Sequence, residues 1–296
     1  MSELKLFKIE GQRVHEIPSR AIGVEKSLQA IFEQNLDTLL GVKFLATEYT
    51  TGKSHNGRID TLGIDENGSP VITEYKRAIS ESVVSQGLFY LDWLVENEAS
   101  FKLLVIEKIG TAKAKEIDFS VPRLICIASD FTKYDIHAVN RINQGKHSVD
   151  LIRYRRFAED LLVLELVNRE VGKVSNSKTH DKPIAQWLKE LKGPIREIYE
   201  ELRPKLLALG DDVEEMQLKL YTAYRRIKNF ACIVIQKKAV ILYLSLPPKT
   251  VPMEEGFIRD VSGIGHWATG DVEITITSMD QLRKIESLLS RAYEDA

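Results

Sequence analysis

Residues 57–90 read GRIDTLGIDENGSPVITEYKRAISESVVSQGLFY, and the order of signals in this stretch decides how the surrounding chain folds. Asp60 lies in a short run of β character, and Glu74, Tyr75 and Lys76 lie in a second. Between them Asp65-Glu66-Asn67-Gly68-Ser69-Pro70 is strong turn punctuation, so residues 57–65 and 70–76 are predicted to pair as an antiparallel hairpin. From 80 to 96, Val83, Val84, Gly87, Leu88, Leu91, Leu94 and Val95 recur on one face, the pattern of an amphipathic helix. Gln86 and Tyr90, four apart, share a face of that helix.

The residue types suit phosphodiester chemistry. Hydrolysis needs a water made nucleophilic near neutral pH and relief of charge on the phosphorane and leaving oxygen, and one or two Mg²⁺ ions supply both. Asp60 and Glu74 on neighbouring strands can converge on such an ion, with the backbone carbonyl of Tyr75 as a third oxygen ligand. Residues two apart in a strand share a face, so Lys76 points with Glu74 and can orient the water or stabilise developing charge. Gln86 can bond a water on the metal or a phosphate, and Tyr90 can donate to a phosphate oxygen. The same residues also admit a plainer account, an exposed charge ladder beside a half-buried helix edge. A Glu-x-Lys tripeptide alone says little, since Glu3-Leu4-Lys5 and Glu190-Leu191-Lys192 fit it too. Only the copy at Glu74 has an acid-bearing strand before it and a polar-faced helix after it.

Working outward, residues 4–22 alternate apolar and polar around Gly11-Gln12 and predict a small hairpin. Residues 23–41 predict one helix, with Leu28, Ile31, Phe32, Leu36, Leu39 and Leu40 at helical spacing and Gly41 as its C-terminal cap. At about 100° per residue, Glu25 projects along the line of Phe32 and Leu36, near the middle of the apolar stripe, while Glu33 points well to the side. Glu25 is therefore expected to face inward. A β run over 42–49 and a polar, flexible loop over 50–56 precede the opening stretch. After it come a helix over 98–109, a doubly buried strand over 123–128 (RLICIA), a short helix over 134–142, and a hairpin of 149–156 with 161–167. This order predicts an α/β sandwich domain with a mixed central sheet over 1–171.

Residues 172–183, polar and ending at a proline, read as a linker, and 184–296 as a smaller, separate α+β domain. There a helix over 184–209 is interrupted at Gly193-Pro194 and Pro204. Runs at 230–235 and 239–246 make a hairpin, 273–277 adds a strand, and Ser278 caps a final helix over 278–293. Arg225, Arg226 and Lys228 beside Tyr221 and Tyr224 could form a phosphate-contacting patch or simply a basic helix end. Asp260, His266 and Asp271 could form a polar cluster, although glycines 263, 265 and 270 around Trp267 favour a structural turn.

The chain of 296 residues is 44% apolar and 28% charged, the composition of a soluble globular protein. No apolar run suggests a membrane span or signal core, so a cytoplasmic protein without membrane contact is expected. Cys126 and Cys232 sit in apolar runs without metal or redox spacing. A net charge of −2 argues against a protein that coats DNA but not against a nuclease, whose acidic site offsets basic patches.

Asp60, Glu74-Tyr75-Lys76 and Gln86-x-x-x-Tyr90, with Glu25 on the preceding helix, resemble the PD-(D/E)xK nuclease superfamily, in its RecB-like and NucS-like branch. Ile59 stands where the motif's name has proline. The resemblance implies a restriction-endonuclease-like sandwich fold and a Mg²⁺- or Mn²⁺-dependent nuclease acting on DNA. It implies Asp60 and Glu74 as metal ligands, Lys76 as catalytic lysine, Glu25 as the helix acid assisting the metal, and Gln86 and Tyr90 as supporting residues. A non-cleaving nucleic-acid-binding or regulatory protein of the same fold is the alternative. Lys53, Arg58, Arg77, Arg153 and Arg155 are basic residues that could contact phosphate. A homodimer is compatible with this reading. The carboxyl-terminal segment resembles a domain found fused to such nucleases and is expected to recognise substrate or a partner protein.

Overall fold

The computed structural model describes residues 4–20, 25–76, 83–143, 148–167, 191–218, 220–264 and 268–296, and the chain divides into two compact units, Met1–Asn168 and Arg169–Ala296. The linker expected over 172–183 lies outside the described residues.

In the first unit the predicted amino-terminal hairpin is present as β1 (Leu6–Glu10) and β2 (Arg13–Ile17), followed by a two-residue strand β3 (Ser19–Arg20). The single helix expected over 23–41 is two, α1 (Glu25–Gln34) and α2 (Leu36–Leu40). They part at Asn35, whose side-chain amide bonds the Ile31 carbonyl at 2.8 Å, the competition with helical backbone that asparagine favours. Gly41 closes α2 in the left-handed conformation, φ 64°. The strand β4 (Val42–Thr50) follows, then α3 (Gly52–His55), a helical turn inside the expected flexible loop. The opening stretch folds as read, into β5 (Arg58–Asp65), β6 (Pro70–Lys76) and α4 (Val83–Glu96), with an antiparallel hairpin. Then come α5 (Glu98–Lys108), α6 (Thr111–Ala114), β7 (Arg123–Ala128), α7 (Lys133–Ile142), β8 (Ser148–Phe157) and β9 (Leu161–Leu166).

Strands β3 to β9 form a seven-stranded mixed sheet, and β1 and β2 a separate two-stranded one. β4, β5 and β6 are antiparallel, β6, β7 and β8 are parallel, and β9 and β3 pair antiparallel with β8. Helices lie on both faces. Phe32 of α1 meets Tyr75 edge-on at 5.7 Å between ring centroids. Ile72, on the opposite face because it is an odd number of residues away, clusters with Leu124, Cys126 and the α4 residues Val84, Leu91 and Leu94.

The second unit contains α8 (Pro194–Leu207), β10 (Glu214–Gln217), β11 (Thr222–Arg225), β12 (Asn229–Ile235), β13 (Val240–Leu244), β14 (Ile258–Asp260), β15 (Val272–Ile276), α9 (Met279–Lys284) and α10 (Glu286–Glu294). Its sheet is antiparallel throughout, in the order β10-β11-β12-β13-β15-β14. Ile198, Leu202 and Leu206 of α8 and Leu282 and Leu289 of α9 and α10 join Phe230, Leu242, Leu244 and Ile274 in one core. The last helix, expected as one, divides at Ile285, and β10, β11 and β14 are strands the sequence pattern did not mark. A mixed α/β unit followed by a smaller α+β unit is the architecture expected. Among the described residues no helix is long and apolar enough to cross a membrane.

Candidate active site

The hairpin of β5 and β6 pairs from Ile64 opposite Pro70 to Thr61 opposite Thr73, and there the backbone ladder stops. Side chains continue it. The Asp60 N–H donates to Glu74 Oε1 at 3.1 Å, and the Tyr75 N–H donates to Asp60 Oδ2 at 3.0 Å. Each carboxylate stands where the facing strand's carbonyl would stand, which satisfies the N–H groups while the strands part. Two acids are thereby fixed side by side in the opening.

Glu74 is fully buried, and its Oε2 has no hydrogen-bond partner among the described residues. Burial above all, and then the Asp60 charge, pushes its pKa from 4.5 up to about 9, while the Asp60 N–H and the Lys76 ammonium act in the opposite direction. Lys76, half-buried, ends β6 on the face of Glu74. Tyr75 turns its side chain to the other face, where burial raises its phenol well above the ordinary value.

Gln86 and Tyr90 project from α4 as the spacing requires, with Gln86 Nε2 3.5 Å from the Tyr90 hydroxyl. That hydroxyl accepts the Arg58 N–H at 3.2 Å, at the entrance to β5. The ring beneath it occupies the space a side chain at Gly57 would need: a Cβ there would fall 2.5 Å from Tyr90 Cε1. Tyr90 thus clamps the strand that carries Asp60.

Helix α1 corrects the sequence reading. Glu33, expected to point aside, accepts a 2.6 Å hydrogen bond from Thr61 Oγ1 and a 3.0 Å bond from Gln29 Nε2. Gln29 itself, buried, lies 2.9 Å from the Asp60 carbonyl and 3.2 Å from Thr47 Oγ1. A helix lying on a sheet covers a broad arc, and a glutamate has enough rotatable bonds to reach the sheet from the edge of the apolar stripe. Glu33 meets the sheet on the Tyr75 face, away from the Glu74 side chain, because Thr61 Oγ1 is also 3.3 Å from the Tyr75 hydroxyl. The backbone of Glu25 begins α1, and its side chain lies outside the described residues. Gln29 and Glu33 are four apart, a polar pair beside the apolar stripe, and that spacing was the signal available for them.

Of the basic candidates, Arg58 is exposed and pairs with Glu48 at 2.7 Å. The Lys53 side chain and Arg77 lie outside the described residues. Arg153 is buried, with Asp130 and Glu165 each at 2.7 Å. Arg155 is half-buried on the same strand. The patch expected in the second unit lies in and beside β11 rather than at a helix end, and its residues are buried or, for Arg226 and Lys228, half-buried. Arg225 is buried against Glu214 at 2.6 Å, the Tyr224 hydroxyl bonds Glu215 at 2.8 Å, Tyr221 is buried, and Arg226 pairs with Asp212 at 2.6 Å. Asp260 is capped by Ser262, and His266 and Trp267 lie outside the described residues.

Among the described residues no group of three or more His, Cys, Asp or Glu side chains is placed to hold a metal. A bound cation would rest on two carboxylates, a backbone carbonyl and water. That donor set fits Mg²⁺, a hard ion that takes one or two carboxylates and keeps several waters. The buried Oε2 of Glu74, without a partner among the described residues and beside a second acid, is an oxygen such an ion could take.

A protein of Haemophilus influenzae, described as an uncharacterized protein, is 32% identical to this chain over 308 residues, covering 99% of this chain and 100% of that one. The chain belongs to that protein's family. Within it, residues 184–296 match DUF5655, a domain of unknown function. Part of the chain is also similar to two solved structures. One is a repair endonuclease from Pyrococcus abyssi, at 21% identity and a TM-score of 0.28, covering 45% of this chain and 48% of that one. The other is an EndoMS-dsDNA2 complex, at 21% identity and a TM-score of 0.27, covering 45% of this chain and 46% of that one. Each match spans about half of either chain.

Proposed function

We propose that the protein is a metal-dependent nuclease that hydrolyses phosphodiester bonds in DNA. The observation that carries this reading is the opened ladder between β5 and β6, where Asp60 and Glu74 are locked together by each other's strand and a buried Glu74 oxygen has no partner among the described residues. A surface charge ladder would keep its acids solvated; here Glu74 is withdrawn from water beside the half-buried Asp60, at a cost that a bound cation would offset. Asp60, Glu74 and the Tyr75 carbonyl would hold Mg²⁺ or Mn²⁺. Such an ion supplies a more acidic water and relief of negative charge on the attacked phosphate. Lys76, on the Glu74 face, would orient that water and stabilise charge as it develops. Gln86 would bond a phosphate oxygen, and Tyr90 fixes the strand that presents Asp60.

The test is incubation with single-stranded, duplex and branched DNA in Mg²⁺ or Mn²⁺, beside Asp60→Ala and Lys76→Ala. Wild-type cleavage that falls by roughly 10²-fold or more in both variants is expected, the loss typical of removing a charge-stabilising group. Equal activity in the variants would place the chemistry elsewhere. DNA binding without cleavage under every condition would make the protein a non-cleaving binder of the same fold.

A further inference from the structure

The helix α4, whose Tyr90 clamps the strand carrying Asp60, also carries an aromatic ring that the chemistry above does not use. Phe89 is 46% exposed, and its ring centroid lies 4.9 Å from that of His55, at the end of α3, and 5.8 Å from that of Tyr90. The two props hold it differently. His55, with only 17% of its side chain exposed, is tilted 47° against Phe89 and reaches it from a separate element. Tyr90 is buried, fills the space over Gly57 and accepts the Arg58 N–H, two residues before Asp60. A continuous path of contacts therefore leads from a solvent-facing ring through Tyr90 to the strand that carries the acid. Exposed Arg58 stands beside this path, its charge shared with Glu48.

Every nucleobase has a π-face that stacks on an aromatic side chain whatever its sequence, whereas bases inside a duplex already stack on one another. A ring held half-open against two other rings, and joined through Tyr90 to the strand that carries Asp60, matches the first situation and not the second. We propose that Phe89, backed by His55, is a stacking platform for an unpaired base next to the scissile phosphate. The site then takes single-stranded DNA, or the single-stranded part of a frayed or branched end, in preference to an intact duplex. The identity of the substrate as DNA rests on the nuclease reading.

The test uses a short single-stranded DNA carrying aminopurine, whose fluorescence falls on stacking, and a blunt duplex of the same sequence, with EDTA present to stop cleavage. The wild type is expected to bind and quench the single strand. Phe89→Ala should bind it about tenfold more weakly, within the range of one lost base stack, and fail to quench it. Phe89→Trp should retain both properties, Phe89→Leu neither, and duplex affinity should be the same in all four proteins. The exposure of Phe89 means that each variant should melt with the wild type, which is checked alongside. The platform is overturned if the wild type does not bind the single strand, if Phe89→Ala matches the wild type, if it loses both DNAs alike, or if leucine serves as well as tryptophan. Cleavage with Mg²⁺ by the same proteins separates the two proposals. Ring-dependent binding without cleavage would keep the platform and remove the nuclease, and equal binding and cleavage of the single strand by wild type and Phe89→Ala would do the reverse.

Discussion

Glu74 combines three properties that do not favour a stable fold: no exposure, a neighbouring acid, and an oxygen without a partner among the described residues. With its pKa pushed from 4.5 up to about 9, the folded protein binds a proton that the unfolded chain releases. Between those two values the folded state holds more protons, so stability falls as pH rises through the window. Glutamine at this position keeps an oxygen for the Asp60 N–H, adds a donor toward the Asp60 carboxylate and cannot ionise. Glu74→Gln, free of divalent metal, should therefore be more stable than the wild type on the alkaline side of neutrality by about 1–3 kcal/mol, the usual scale for one unsatisfied buried polar group. It should also lose most of the wild type's downward slope in melting temperature against pH. Added Mg²⁺ should raise the melting temperature of the wild type and leave that of the variant nearly unchanged. A variant less stable than the wild type across the whole range would mean that Glu74 is already satisfied when ionised.

Between elements, the contact that positions Asp60 is the seating of Tyr90 on the entrance to β5. Tyr90→Phe keeps the ring and strands the Arg58 N–H, so a loss of about 1 kcal/mol in stability is expected, with a larger fall in cleavage than in DNA affinity. Gly57→Ala should cost about 1–3 kcal/mol, because its Cβ would sit 2.5 Å from the ring. Urea denaturation with cleavage and binding assays on both variants measures these effects. Stability lost with cleavage unimpaired would reduce Tyr90 to a packing residue. The same elements show why the opening stretch was legible. Its turn punctuation fixed the hairpin, and a period of two or of 3.6 fixed the faces, so Asp60, Glu74, Lys76, Gln86 and Tyr90 could be placed on neighbouring elements without coordinates. The parting of the strands at Asp60 could not be foreseen, because it depends on carboxylates replacing carbonyls across a non-local pairing. Glu33 was misjudged because helical phase gives direction and not reach. β3 is two residues long and exists through its partner β8, while β10 and β11 carry Glu214, Glu215 and Arg225, charges that pair with one another or with Arg203 and read as surface until their partners are known.

Across the whole molecule, the chain divides into two compact units. The second unit closes an antiparallel sheet against α8, α9 and α10 with a core that includes Leu202, Leu206, Phe230, Leu244, Ile274 and Leu289. Polar closure accompanies the apolar core: buried Glu215 takes two bonds from Arg203, at 2.7 and 2.6 Å, and one from the Tyr224 hydroxyl at 2.8 Å. A core and a satisfied buried network drawn from one segment are what an independently folding domain needs, and the unit's length falls well inside the range of roughly 50–250 residues for such domains. A fragment of residues 169–296 expressed alone should therefore unfold cooperatively and keep the near-ultraviolet signature of its packed tyrosines. Its melting temperature should not respond to Mg²⁺, because Asp60 and Glu74 lie in the other unit. Arg203→Ala in the fragment should cost about 3–5 kcal/mol, the penalty for stranding a buried acid, and Arg203→Ala with Glu215→Gln should recover part of that loss. Calorimetry on the three fragments decides the matter: a broad, non-cooperative transition in the parent fragment would show that this core does not close without the first unit, and an unrecovered double variant would show that Arg203 acts through packing rather than through the charge of Glu215.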